Sequence, residues 1–139
     1  MEELSKSDEQ LFSLIIDTCF TVHSELGPGL LESIYEECLS RELTSVGLSF
    51  ERQKNIPVLY KGESLDMNFR VDILVENKFI IEIKSVSEIN GTHYAQLLTY
   101  LKLTNLHVGL LVNFNERLLK TGLRRVINSR YSDKTIQQQ

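Results

Sequence analysis

The stretch that decides the fold is Phe69 to Val86, FRVDILVENKFIIEIKSV. Val71, Ile73 and Val75 alternate before Glu76-Asn77-Lys78, and Phe79, Ile81 and Ile83 alternate after it. That period of two predicts a pair of strands joined by a tight turn. Among the charged residues of the stretch, Asp72, Glu82 and Lys84 stand out within the apolar hairpin. Alternation puts Glu82 and Lys84 on one face of their strand. With a three-residue loop centred on Asn77, Ile73 faces Ile81 and Asp72 falls directly opposite Glu82. Facing residues of an antiparallel pair have Cβ atoms about 4.5–5.5 Å apart. Two carboxylates and an ammonium then share one small patch.

A charge on a half-exposed strand ordinarily needs no more than solvent to explain it. The trio asks for more, because like charges directly opposite each other are destabilising and Lys84 can neutralise only one carboxylate. A divalent cation resolves the conflict. Mg²⁺ takes oxygen ligands, typically one or two carboxylates, with water and substrate phosphate completing the shell. An ammonium beside it is placed to steady an attacking water or developing phosphoryl charge. The cluster points to metal-assisted phosphodiester hydrolysis.

Asp72, followed after nine residues by Glu82-Ile83-Lys84, resembles the core motif of the PD-(D/E)XK nuclease superfamily. Gln96-Leu97-Leu98-Thr99-Tyr100 resembles the Q-x-x-x-Y motif on the helix after the catalytic strand in its exonuclease-like branches. Gly29-Leu30-Leu31-Glu32-Ser33-Ile34-Tyr35 is similar to the motif that names the GxxExxY family, a small prokaryotic branch. The resemblance runs from about Ile15 to Ile127, with one departure: Val71, not proline, precedes Asp72. It implies a restriction-endonuclease-like α/β core and a Mg²⁺- or Mn²⁺-dependent nuclease. Asp72 and Glu82 are the implied metal ligands, joined by the Ile83 backbone carbonyl. Glu32 is an accessory acid and a candidate further ligand, because an acidic residue from the helix before the sheet often reaches the metal in the superfamily. Lys84 would position the water and stabilise the transition state, while Gln96 and Tyr100 would orient the substrate phosphate or Lys84.

At 139 residues the chain fits one domain with a real core. Its 42% apolar and 24% charged composition is that of a soluble globular protein. No apolar run approaches the roughly 18–20 residues of a membrane span. The amino terminus, MEELSKSDEQ, lacks the basic region and apolar core of a signal peptide. Cys19 and Cys38 each fall among apolar residues of a predicted helix, as buried thiols do, and two cysteines alone make no zinc site. The expected compartment is the cytoplasm.

The net charge of −4 hides an uneven distribution. Residues 1–51 carry 11 acidic and 2 basic side chains, residues 52–139 carry 8 and 13. Binding a phosphate backbone needs a local basic surface rather than a basic total. Arg117, Lys120, Arg124, Arg125, Arg130 and Lys134 crowd the last quarter, either as a solvated face or as a phosphate track.

In chain order, Ser7 with Gln10 resembles a capping box, opening an apolar-faced helix to about Leu26 that Gly27-Pro28-Gly29 breaks. His23, near its end, reads as a helix-terminal or core-edge residue. A second helix spans Leu30 to Val46, with Leu31, Ile34, Tyr35, Cys38, Leu39 and Leu43 as its buried stripe and Gly47 as the C′ residue. Within it Tyr35 is expected to pack or hydrogen-bond, while Glu36 and Glu37 need no role beyond the helix. Leu48 to Tyr60 and Ser64 to Glu76 alternate as strands, and Pro57 puts the first at an edge. Thr92 can cap a helix from His93 to about Thr104, with Ala95, Leu98 and Leu101 facing the core and Gln96 and Tyr100 sharing the other face. His107 to Phe114 reads as a buried strand and Leu123 to Asn128 as a last element. The expected architecture is a mixed central sheet flanked by helices: one domain over 1–139, with its core at about 8–128 and a frayed tail at 129–139.

The expected function is a divalent-metal-dependent nuclease acting on DNA, or on RNA, with a homodimer as a possible assembly and no membrane partner. Two rivals share the fold. One is a non-catalytic module that binds nucleic acid or protein. The other is a metal-dependent phosphoesterase on a small substrate, suggested by the acidic total and the lack of a dedicated DNA-recognition element. Metal binding separates the first rival, and activity on polymer against nucleotide separates the second.

Overall fold

A computed structural model describes residues 4–133. Two helices, α1 (Lys6–Leu26) and α2 (Glu32–Ser45), precede a three-strand meander, β1 (Phe50–Tyr60), β2 (Glu63–Val75) and β3 (Phe79–Lys84). Helix α3 (Gly91–Thr104) then crosses to β4 (Val108–Asn113), and a 3₁₀ turn at Leu119–Gly122 leads into β5 (Leu123–Ile127). The five strands form one sheet in chain order, antiparallel except for β3 and β4, which the α3 crossover makes parallel. This is the expected mixed α/β sheet flanked by helices, consistent with a restriction-endonuclease-like core. β1 is an edge strand, as expected from Pro57, and its register with β2 shifts just after that residue.

The two sheet faces carry separate cores. Phe12 and Ile15 of α1 and Leu39 and Leu43 of α2 pack on Ile73, Phe79, Ile81 and Leu110. Leu97 and Leu101 of α3 pack on Ile80, Leu111 and Val126 of the opposite face. Each such side chain stabilises the fold by about 1.5–3 kcal/mol when fully buried. β4 is buried throughout, and β3 is buried up to Lys84 at its end, as suits a central parallel pair covered on both faces.

Several local expectations shift. The α1 cap is Ser5, whose Oγ accepts the Asp8 N–H at 3.1 Å, so the helix begins before Ser7. The α3 cap is Asn90 rather than Thr92, with His93 Nδ1 in turn accepting the Asn90 N–H. In α3 the buried residues are Leu97 and Leu101, while Ala95 is exposed. The buried stripe of α2 is rotated: Tyr35, Leu39 and Leu43 are inside, but so are Glu36 and Ser40, while Leu31 is 71% exposed. Polar partners from β1 explain the rotation. Arg52 and Gln53 reach the Glu36 carboxylate and replace the water it would otherwise need.

The alternation of the hairpin also breaks at one level. Val71 packs on the α3 side and Ile73 on the α1–α2 side, although both were expected on one face. Phe50 and Ile56 of β1 divide in the same way. The β1–β2 ribbon therefore turns over at Gln53 and Asp72.

After β5 the chain is tied back: Tyr131 stacks on His107 at 4.6 Å, and Ser132 exchanges hydrogen bonds with the Asn105 side chain. The expected frayed tail thus does not begin at residue 129, and 134–139 lie outside the described residues.

Candidate active site

β2 and β3 pair in the expected register, Val75 with Phe79 and Ile73 with Ile81. The turn between them puts Glu76 and Asn77 at φ of 54° and closes with the Lys78 N–H on the Val75 carbonyl at 2.9 Å. One step beyond Ile73 the backbone ladder gives way to side chains. The Asp72 N–H donates to Glu82 Oε2 and the Ile83 N–H donates to Asp72 Oδ2, each at 2.8 Å. Each carboxylate thus caps the opposite strand's amide where the strands part.

Those amides only partly offset the charge. Glu82 is 5% exposed. Burial first, and then the Asp72 charge, push its carboxyl up to about 8, against the Asp72 N–H and the Lys84 ammonium. Asp72 is raised too, by burial first and with a contribution from Glu36, against the Ile83 N–H, Gln53 and Lys84. Lys84 closes β3 in register with Asn113 and is half-buried. Ile80 packs on the α3 side, so alternation sends Glu82 and Lys84 that way as well. Among the described residues Lys84 makes no ion pair, which leaves its ammonium available to a ligand.

Glu32 stands in the first turn of α2 and accepts the Ser85 N–H at 3.1 Å, one residue past Lys84. Ser85 Oγ in turn donates to the Leu30 carbonyl at 2.6 Å. The Glu32 charge reaches Glu82 and helps to raise its pKa. Tyr35 is structural, as expected: its hydroxyl donates to the Gly27 carbonyl at 2.6 Å and accepts the Leu30 N–H, and its ring stacks on Phe114. The Gly29, Glu32 and Tyr35 motif is therefore a device that fastens the Gly27–Leu30 loop and the segment after Lys84 to α2. His23 ties the end of α1 to the segment after β4, its Nε2 lying 2.7 Å from the Glu116 carbonyl.

On α3, Tyr100 stacks on Phe69 at 4.2 Å. Burial, then the charges of Glu82 and Asp72, raise its hydroxyl pKa. Gln96, one turn earlier, is exposed and makes no hydrogen bond among the described residues. Sequence reasoning passed over Glu36 and Gln53. The Gln53 amide lies 2.6 Å from Glu36 Oε1 and 3.3 Å from Asp72 Oδ1. The four-residue spacing of Glu32 and Glu36 was the one available signal, since it puts both on one side of α2.

A family model of the PD-(D/E)XK nuclease superfamily matches residues 9–126. The chain belongs to that superfamily. No curated protein and no solved structure matches it. PD-(D/E)XK nucleases are generally divalent-metal dependent, and the donor set here suits such an ion. Buried Glu82 and half-buried Asp72 are two facing oxygen donors whose charged forms lack enough compensation in the metal-free chain, as their raised pKa values reflect, and Glu82 Oε1 carries no hydrogen bond among the described residues. Two acids are what Mg²⁺ commonly takes from a protein. No group of three or more His, Cys, Asp or Glu side chains converges among the described residues, so Glu32 does not complete a three-acid cage.

Of the basic residues in the last quarter, Arg125 is bound to Glu9 through both terminal nitrogens and lies over the Phe12 ring at 4.5 Å. Arg124 donates to the Thr121 and Leu123 carbonyls. Arg117, Lys120 and Arg130 are exposed, and Lys134 lies outside the described residues. No helix among the described residues is long and apolar enough to cross a membrane.

Proposed function

We propose that this PD-(D/E)XK protein is a Mg²⁺- or Mn²⁺-dependent nuclease that hydrolyses phosphodiester bonds of DNA, and that it belongs to the GxxExxY branch. The observation that carries the reading is the carboxylate pair Asp72 and Glu82 held at the parting of β2 and β3, with Lys84, which makes no ion pair among the described residues, on the same side. Asp72, Glu82 and the Ile83 carbonyl would hold the ion, with Glu32 as an accessory acid acting through water and through its hold on Ser85. The bound cation would supply Lewis acidity at the phosphoryl oxygen. Lys84 offers three N–H donors to orient the attacking water and to steady charge growing on the phosphoryl group. Tyr100 and Gln96, a turn apart on α3, position the substrate phosphate or Lys84. Exposed Arg117, Lys120 and Arg130 supply backbone contacts to nucleic acid. The cytoplasm is the proposed compartment and a homodimer the proposed assembly.

The test is cleavage of linear, circular and single-stranded DNA, and of RNA, with Mg²⁺ or Mn²⁺ and with EDTA. Alanine at Asp72, Glu82 or Lys84 should lower turnover by at least ~10²-fold, because each acts on the transition state or its metal. Equal activity in wild type and all three variants would overturn the reading.

A further inference from the structure

Gln53 has a φ of 49° inside β1. Other non-glycine residues with positive φ occupy turns, the α3 C-cap or the irregular end of the β1–β2 hairpin. Gln53 instead lies between regular pairs, Arg52 with Ile73 and Lys54 with Val71, directly across from Asp72. An L-residue is sterically disfavoured there, and such a conformation persists only where the surroundings hold it. The ribbon turns over at this level, and the turn aims the Gln53 side chain at two carboxylates.

Both hydrogens of the Gln53 amide have acceptors, Glu36 Oε1 at 2.6 Å and Asp72 Oδ1 at 3.3 Å. Reversing the amide would set its oxygen against two carboxylates, so chemistry fixes its orientation. Glu36 is itself held: it is 8% exposed, and its other oxygen accepts Arg52 Nε at 3.0 Å. Asp72 Oδ2 is taken by the Ile83 N–H. A single bond would leave the Asp72 carboxylate free to swing about it, whereas contacts on both oxygens define its plane.

We propose that Gln53 is a positioning residue for Asp72: helix α2, through Glu36, holds the Gln53 amide, and the amide fixes the plane of the Asp72 carboxylate. Its consequence for hydrolysis rests on the nuclease reading, while the placement of Asp72 belongs to the metal-free chain. A residue that merely pinned β1 to α2 would stabilise the fold and leave Asp72 alone. Gln53→Gly separates the two roles, because glycine adopts this backbone without strain but carries no amide.

The experiment measures amide hydrogen exchange in EDTA for wild type, Gln53→Gly and Gln53→Ala, with Ile81, paired on both sides, as the internal reference. In Gln53→Gly the Ile83 N–H should exchange at least tenfold faster, the Ile81 N–H should be unchanged, and the melting temperature should stay at or above wild type. Mn²⁺ binding and DNA cleavage should each weaken at least tenfold. Ile83 exchange within threefold of wild type, or Ile81 and Ile83 accelerating together, would overturn the proposal. A lower melting temperature with unchanged Ile83 exchange would make Gln53 a strand-pinning residue and overturn it too. If Ile83 alone accelerates while wild type neither binds Mn²⁺ nor cleaves DNA, the positioning role stands and the nuclease reading falls.

Discussion

Glu82 and Asp72 both have pKa values raised in the folded chain, with burial as the first cause. A raised carboxyl contributes stability that is complete below its unfolded pKa and is lost as pH rises through the folded one. For Glu82 that window runs from the ordinary 4.5 to about 8. Metal-free protein should therefore lose stability between those limits, by up to about 1.4 kcal/mol for each step of one in pH, and Glu82→Gln should flatten the profile. Denaturant melts in EDTA across that pH range would show it. Metal affinity should run the other way, rising with pH as the ligands lose protons. Asp72→Asn keeps an acceptor for the Ile83 N–H and removes one of two facing charges. At pH 8 in EDTA the repulsion relieved is worth ~0.5–1 kcal/mol, against which the Asn NH2 meets the Gln53 amide donor to donor, so the variant should melt close to wild type. Wild type should gain ~1.4 kcal/mol from metal at ten times Kd, and the Asn variant should lose most of that gain. A clearly destabilised Asn variant together with a metal-blind wild type would count against the site. The pair was legible in the sequence because alternation and a short turn fix a register. Gln53 was not, because a left-handed residue within a strand has no compositional signature and glutamine there reads as solvated.

At the scale of elements, α3 approaches the sheet where Gly109 lies on β4. A Cβ there would meet Leu97 Cδ1 at 3.0 Å and the Ile80 carbonyl at 3.1 Å. Gly109→Ala should push α3 outward and cost about 1–3 kcal/mol, and on the proposed nuclease reading turnover should fall with it, since α3 carries Tyr100. Unchanged melting and turnover would show that the helix yields easily. Tyr35→Phe tests the loop fastening separately. It keeps the stack on Phe114 but leaves the Gly27 carbonyl without its donor, for about 1–3 kcal/mol. The order of elements was readable from the change of hydrophobic period along the chain. The facing of α2 was not, because apolar count favoured Leu31 and Ile34 for the interior. The Tyr35 anchor and the Arg52 and Gln53 bonds to Glu36 turn the helix the other way.

The whole molecule folds its acidic first third onto its basic remainder. Arg125 meets Glu9 at 2.7 Å and Lys78 meets Asp8 at 2.9 Å, so part of the charge asymmetry along the sequence is neutralised within the fold. A basic residue held this way is a poorer phosphate contact than its charge suggests. Glu9→Gln should release Arg125 and, if Arg125 then meets the backbone, steepen the dependence of log K on log salt by about one. Anisotropy titrations with labelled DNA at several salt concentrations would measure the change. An unaltered slope would place Arg125 outside the DNA footprint. The uneven charge was visible in the sequence, but its pairing across 116 positions was not, because such contacts depend on the completed sheet.

The mutual capping of Asp72 and Glu82 also bears on how this site would decay over evolutionary time. Each acid closes the opposite strand by accepting a backbone N–H, a task that the oxygen of an amide side chain can also perform. A descendant released from selection for hydrolysis would still be selected for those acceptors. Drift at the two positions should therefore favour Asn and Gln over apolar residues, leaving in such lineages an uncharged imprint of the former site.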